Sequence, residues 1–133
     1  MGGHAVQGLS KPIRFADVGW NDVPATPGVY VIYEGDEVIY VGMSGRNGKG
    51  NLRHRLRDHR AGLIVNMFAQ YLFLARVQFL PEERITHPRT AKAACHQYIV
   101  DRCSFRFVGT PSGAAARNLE VKLKCALRPT LNP

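Results

Sequence analysis

Residues 28–42 read GVYVIYEGDEVIYVG, and this stretch decides the fold. Val29 to Tyr33 and Val38 to Val41 are β-branched and aromatic, with the polar run Glu34-Gly35-Asp36-Glu37 between them. Such side chains fit a pleated, half-buried surface and the polar run suits a tight reversal, so the stretch predicts a β-hairpin. Its register settles where Tyr30 and Tyr40 point. A two-residue turn at Gly35 and Asp36 pairs Val31 with Tyr40 and sends the tyrosines to opposite faces, because side chains alternate along a strand. A loop one residue longer or shorter puts both rings on one face. Only the second arrangement lets the two tyrosines form one site.

Downstream of the hairpin, Gly42, Gly45, Gly48 and Gly50 fall within nine residues. Asn51 then suits the N-cap of a helix from Leu52 to about Ala61, with Leu52 and Leu56 on its apolar stripe. Between 64 and 80 the pattern is mixed: Asn66 to Tyr71 suits a helical turn, and the apolar run from Tyr71 to Leu80 suits a strand. Pro88 opens a helix to about Cys103, and Ser104 to Val108 alternates as a strand does. Thr110 and Pro111 start a last helix that runs to about Leu127 and ends before Pro129. Residues 1–27 read as an irregular N-terminal extension to a domain over 28–133. The element order predicts an α+β fold: a central antiparallel or mixed sheet of about three strands, flanked by helices.

With 133 residues, the chain is one domain long enough to bury a core without staples. Apolar residues make up 45% and charged residues 21%, a globular balance rather than a disordered one. The longest uncharged stretch, Ala61 to Ala75, is too short and too interrupted to span a membrane. Met1 to Ser10 carries no basic stretch followed by an apolar run, so no secretory signal is expected. Cys95, Cys103 and Cys125 are odd in number and lack metal-site spacing, which points to reduced thiols and a cytoplasmic protein. The net charge is +8, and thirteen of the eighteen basic residues are arginine. Guanidinium groups bind phosphate oxygens in a forked geometry, so the balance favours a nucleic-acid partner over solubility charge alone.

The first predicted helix sorts its charges by angle. Arg53, Arg57 and Arg60 share one face, either solvated or touching phosphate. Arg55 and His59 lie one turn apart at the border of the buried stripe, where an unpaired guanidinium is costly. The last helix holds one acidic residue, Glu120, at the edge of its apolar face between Ala116 and Leu123. A carboxylate there needs a partner: Lys124 one turn on, an arginine, backbone donors, or a metal. One carboxylate suits one hard divalent ion completed by waters, not a two-metal centre.

Taken in order, Gly28-Val29-Tyr30, Tyr40-Val41-Gly42, the Asn51 to His59 helix, Glu120 and Asn132 resemble the GIY-YIG nuclease superfamily, with valine for isoleucine in both triplets. The resemblance covers about Pro27 to Asn132. The region from Leu63 to Arg102 exceeds the minimal module and adds a helix at 88–103. What the resemblance implies is a metal-dependent endonuclease, with Mg²⁺ as cofactor and Mn²⁺ able to substitute. Tyr30 would take the proton of the attacking water, Tyr40 position the phosphate, and Arg55 hold the scissile phosphate. His59 would assist proton transfer, Glu120 would ligate the metal, and Asn132 would shape the site or bind. Arg46, Lys49, Arg53, Arg57, Arg60 and Asn132 are the residues expected to meet nucleic acid. The substrate implied is double-stranded or branched DNA, with specificity supplied by a protein partner or a second copy. A ribonuclease, and a binding module that keeps the fold without cleaving, are the alternatives.

Overall fold

The computed structural model describes residues 8–46, 49–63, 65–77 and 88–132. Its elements in chain order are β1 (Ile13–Arg14), a 3₁₀ turn (Trp20–Asp22), β2 (Gly28–Glu34), β3 (Glu37–Ser44), α1 (Leu52–Arg60), α2 (Met67–Ala75), α3 (Pro88–Arg102), β4 (Cys103–Gly109) and α4 (Gly113–Leu127). The four strands form one antiparallel sheet in the order β1-β4-β2-β3. It has one strand more than expected. The short β1 comes from the segment ahead of Gly28, which also buries Phe15 and Val23 in the core.

The hairpin resolves its register in a way that neither simple turn provides. The turn is the two-residue one: Glu34 pairs with Glu37 and Tyr33 with Val38. Gly35 sits at φ +59°, the sign that the first central position of a type II′ turn requires. One step further, Ile32 pairs with Tyr40, so Ile39 is an extra residue in β3. This bulge shifts the parity of everything beyond it. Tyr30 now faces Gly42, and Tyr40 lies on the same side of the sheet. Ile39 and Tyr40 both enter the same core.

Each face of the sheet has its own core. Tyr30, Ile32, Tyr40 and Phe105 pack beneath α1, α2 and α3, against Leu52, Leu56, Phe68, Leu72 and Ile99. Val29, Val31, Val41 and Met43 pack on the other face against Ala116 and Leu123 of α4. Strands covered on both sides explain why β2 reads as a nearly continuous apolar run.

Two local expectations are corrected. The stretch from Tyr71 is helical as far as Ala75, not a strand; residues 78–80 lie outside the described residues. Phe68, Ala69 and Leu72 bury on one face at helical spacing, and that burial outweighs the strand preference of the aromatic residues. The last helix begins at Gly113, not at Pro111. The Thr110 N–H is held by the Pro27 carbonyl at 2.8 Å, and Ser112 is the cap, its Oγ accepting from the Ala115 N–H at 3.1 Å.

Candidate active site

β3 is an edge strand, and its outer edge is where the site residues gather. The chain end covers that edge. Thr130 and Leu131 donate to the carbonyls of Val38 and Ile39 at 3.2 and 2.8 Å. The Asn132 side chain completes the pairing: its Oδ1 accepts from the Val41 N–H at 2.7 Å, and its Nδ2 donates to the Val41 carbonyl at 2.9 Å. An amide spans one residue's donor and acceptor as a neighbouring strand would, which protects an otherwise open edge. Asn132 thereby fixes the chain end against β3.

Beside it opens a cavity of about 500 Å³, lined by Tyr40, Arg46, Lys49, Arg55, Glu120 and Asn132, among others. These residues come from β3, the glycine-rich loop, α1, α4 and the chain end. Glu120 projects from the helix beneath the sheet, yet shares the cavity with Arg55 from the helix above it. Only an edge strand permits that meeting. The Glu120 side chain is 7% exposed, with Arg46 at 3.8 Å and Lys124 at 3.7 Å. The Lys124 pairing read from the sequence exists, but it is long and shared with Arg46.

Tyr30 and His59 stand behind this lining. Both are fully buried, and the Tyr30 hydroxyl and His59 Nε2 are 2.5 Å apart. His59 was expected at the border of the buried stripe of α1; it lies within it, at the third position of the series Leu52, Leu56, His59. The rings of Tyr30, Tyr40 and Phe68 surround the imidazole, with centroids 5.2, 6.1 and 5.2 Å away. Burial, aided by the charge of Arg55, lowers its pKa to about 3, so it is neutral. His59 Nδ1 has no hydrogen-bond partner. The imidazole tautomer sets which of the two, the Tyr30 O–H or the His59 Nε2–H, donates across this contact. Burial also pushes the pKa of Tyr30 far up, while the neighbouring Arg55 guanidinium works against the shift. Tyr40 is raised for the same reason, again opposed first by Arg55.

Arg55 is the hub of these charges. Its Nη1 donates to Asn66 Oδ1 at 3.3 Å, and its Nε is buried with no partner. Arg55 also lines the cavity, where a guanidinium is suited to an incoming anionic oxygen. The second-triplet glycine also has a steric reason. A Cβ on Gly42 would run into the ring and hydroxyl of Tyr30, so only glycine lets that ring lie across β3.

The other three helix arginines do not line this cavity. Arg53 Nε donates to the Val23 carbonyl and Arg60 Nε to the Phe15 carbonyl, both at 2.8 Å, and the Arg57 guanidinium lies 6.0 Å from the centre of the Trp20 ring. Those contacts tie the N-terminal segment to α1. Sequence reasoning gave no signal for Met43 and Met67, which form the apolar part of the lining.

Among the described residues no three His, Cys, Asp or Glu side chains converge, so no cage of protein ligands exists there. The donor set does fit one hard divalent ion: a single shielded carboxylate opens on a cavity with room for waters and phosphate oxygens. Four cations and one carboxylate line that space, so it attracts anions.

The Tyr30–His59 pair also sets an acid limit. The folded pKa of His59, about 3, lies below its ordinary 6.5. Above pH 6.5 both folded and unfolded forms are neutral and this stability is fully present. Below it the unfolded chain binds a proton that the folded chain refuses, so stability falls by about 1.4 kcal/mol per pH unit. Urea midpoints taken from pH 7 to pH 4 should show this slope, and His59→Gln should flatten it. An equal slope in the variant would contradict the burial argument.

No family model matches the chain, and no curated protein matches it. Among solved structures, the chain is similar to the GIY-YIG N-terminal endonuclease domain of UvrC from Thermotoga maritima bound to magnesium. The identity is 20% and the TM-score 0.46, over 84% of this chain and 88% of that one. A tyrosine-to-phenylalanine variant of the same domain matches at 21% identity and a TM-score of 0.46, over 84% and 87% of the two chains. No described helix is long and apolar enough to cross a membrane.

Proposed function

We propose that the protein is a metal-dependent endonuclease that hydrolyses phosphodiester bonds in double-stranded or branched DNA. The observation that carries this reading is the convergence of Tyr40, Arg55, Glu120 and Asn132 on one positively charged cavity, backed by the Tyr30–His59 pair. These residues are far apart in the chain and stand in the order of the GIY-YIG motifs that the sequence resembles.

Phosphodiester hydrolysis needs an oriented water, removal of its proton, and stabilisation of charge growing on the phosphate and the leaving oxygen. Arg55 supplies the charge stabilisation from the cavity wall, and Arg46 and Lys49 add diffuse positive charge. Tyr40, whose ring lines the cavity, positions the phosphate. Tyr30 accepts the water's proton on its oxygen as its own hydroxyl proton passes to His59 Nε2, so the pair moves one proton inward from the cavity. His59 is neutral at rest and ends that relay. Glu120 would hold Mg²⁺, or Mn²⁺ in its stead. The ion would supply Lewis-acid polarisation of the phosphate and a lowered pKa for the attacking water. Arg46 and Lys124 flank the Glu120 carboxylate at 3.8 and 3.7 Å, and at those distances neither saturates its oxygens.

The test is nicking of supercoiled plasmid by the purified chain with Mg²⁺ and with EDTA. Conversion to open circle only with the metal is the expected result. DNA binding without nicking at any Mg²⁺ or Mn²⁺ concentration, on plasmid and on branched duplexes, would replace this reading with a binding module of the same fold.

A further inference from the structure

The face of α1 turned away from the reaction cavity lines a second one. Its volume is about 530 Å³, and its walls include Trp20, Arg57, Arg60, Arg89, Lys92 and His96. The two cavities share no residue. Arg57, Arg60 and Lys92 meet here, and among the described residues lining the space there is no carboxylate. Cations gathered on the walls of one cavity make it attractive to an anion. Folding needs account for only part of the cluster. Arg60 is tied to the Phe15 carbonyl, and His96 Nδ1 meets the Arg60 carbonyl at 2.6 Å. Lys92 is exposed and makes no ion pair or hydrogen bond among the described residues.

The aromatic wall narrows the kind of anion. Trp20 is half-buried, one side packed on the core while the ring also lines the cavity. Arg57 reaches that ring only at the outer limit of a cation–π contact. A flat ring beside several phosphate-binding cations is the combination that single-stranded nucleic acid uses: bases stack on the aromatic group and the backbone follows the charges. The volume exceeds what a lone phosphate needs and is of ordinary size for a larger ligand.

We infer that this cavity is a second nucleic-acid site, which holds an unpaired strand with one base against Trp20 and its phosphates on Arg57 and Lys92. The site does not require cleavage at the first one. It would seat the single-stranded arm of a branched substrate while duplex occupies the other side of α1.

Trp20 is the chain's only tryptophan, so its fluorescence reports on this cavity. The experiment titrates the full chain with a short oligothymidylate in EDTA, reading Trp20 fluorescence and the anisotropy of a labelled copy. Saturable quenching is expected, with both readouts giving one affinity. Lys92→Ala should bind several-fold more weakly, with the salt slope reduced by about 0.7, the loss of one single-strand phosphate contact. Binding by anisotropy with unchanged fluorescence would overturn the site, as would an unaltered affinity and slope in Lys92→Ala, or no binding at all. Quenching to the same extent by inorganic phosphate would mark a small-anion pocket and overturn the stacked base. A chain that is quenched but never nicks plasmid keeps this site and loses the nuclease reading; one that nicks without quenching does the reverse.

Discussion

Glu120→Gln is expected to abolish metal-dependent nicking, lowering the rate by about 10³-fold or more, while the chain stays folded and still binds DNA. A bound divalent ion contributes several kcal/mol of charge stabilisation, and each 1.36 kcal/mol is a factor of ten in rate. Glutamine keeps the shape but loses the charge that holds the ion. The cavity walls should tolerate the change, because Arg46 and Lys124 contact the carboxylate only at 3.7–3.8 Å. Removing a negative charge from a cationic cavity should leave DNA affinity equal or slightly higher. Full activity in this variant would refute Glu120 as the metal ligand. Loss of folding, seen by circular dichroism, would instead mean that the carboxylate is a structural counter-ion for its two cations.

Tyr30→Phe removes one oxygen with almost no change in packing. If that oxygen handles the proton of the attacking water, the rate should fall by about 10²–10⁴-fold, the usual contribution of a positioned acid–base group. Stability should fall as well, by about 1–3 kcal/mol, because His59 Nε2 then has no partner at a fully buried position. The two effects are separable. Nicking rates measured well below the melting temperature report the chemistry, and urea denaturation reports the buried pair. An unchanged rate with reduced stability would leave Tyr30 as scaffolding and move proton removal to a group on the cavity wall, of which Tyr40 is the candidate.

The two residues differ in how legible they were. Tyr30 and Tyr40 were visible as members of a hairpin, but their common face was not. A two-residue turn, taken alone, separates them, and the structure has that turn. One extra residue, Ile39, restores the parity. Its bulge is stabilised by burial of Ile39 in a core made by helices that arrive later in the chain. Helix spacing placed His59 beside the apolar stripe but could not give its depth. That depth depends on Phe68, whose own segment was expected to be a helical turn followed by a strand.

Local chemistry alone determined the hairpin and its turn residues, the Asn51 cap, the helices at 52 and 88, the strand after Cys103, and the order of the candidate site residues. Each depends on neighbours within about one helical turn or one strand pair. Tertiary structure decided the rest: the shared face of the tyrosines, the meeting of Glu120 and Arg55 around the open edge of β3, and the pairing of Asn132 with Val41. It also decided which face of α1 meets which cavity, and so gave Arg57 and Arg60 a different setting from Arg55. The physical reason is range. Side-chain direction in a strand flips with a single residue, and a buried charge or amide takes its meaning from groups dozens of residues away. Propensity and spacing read neither of these.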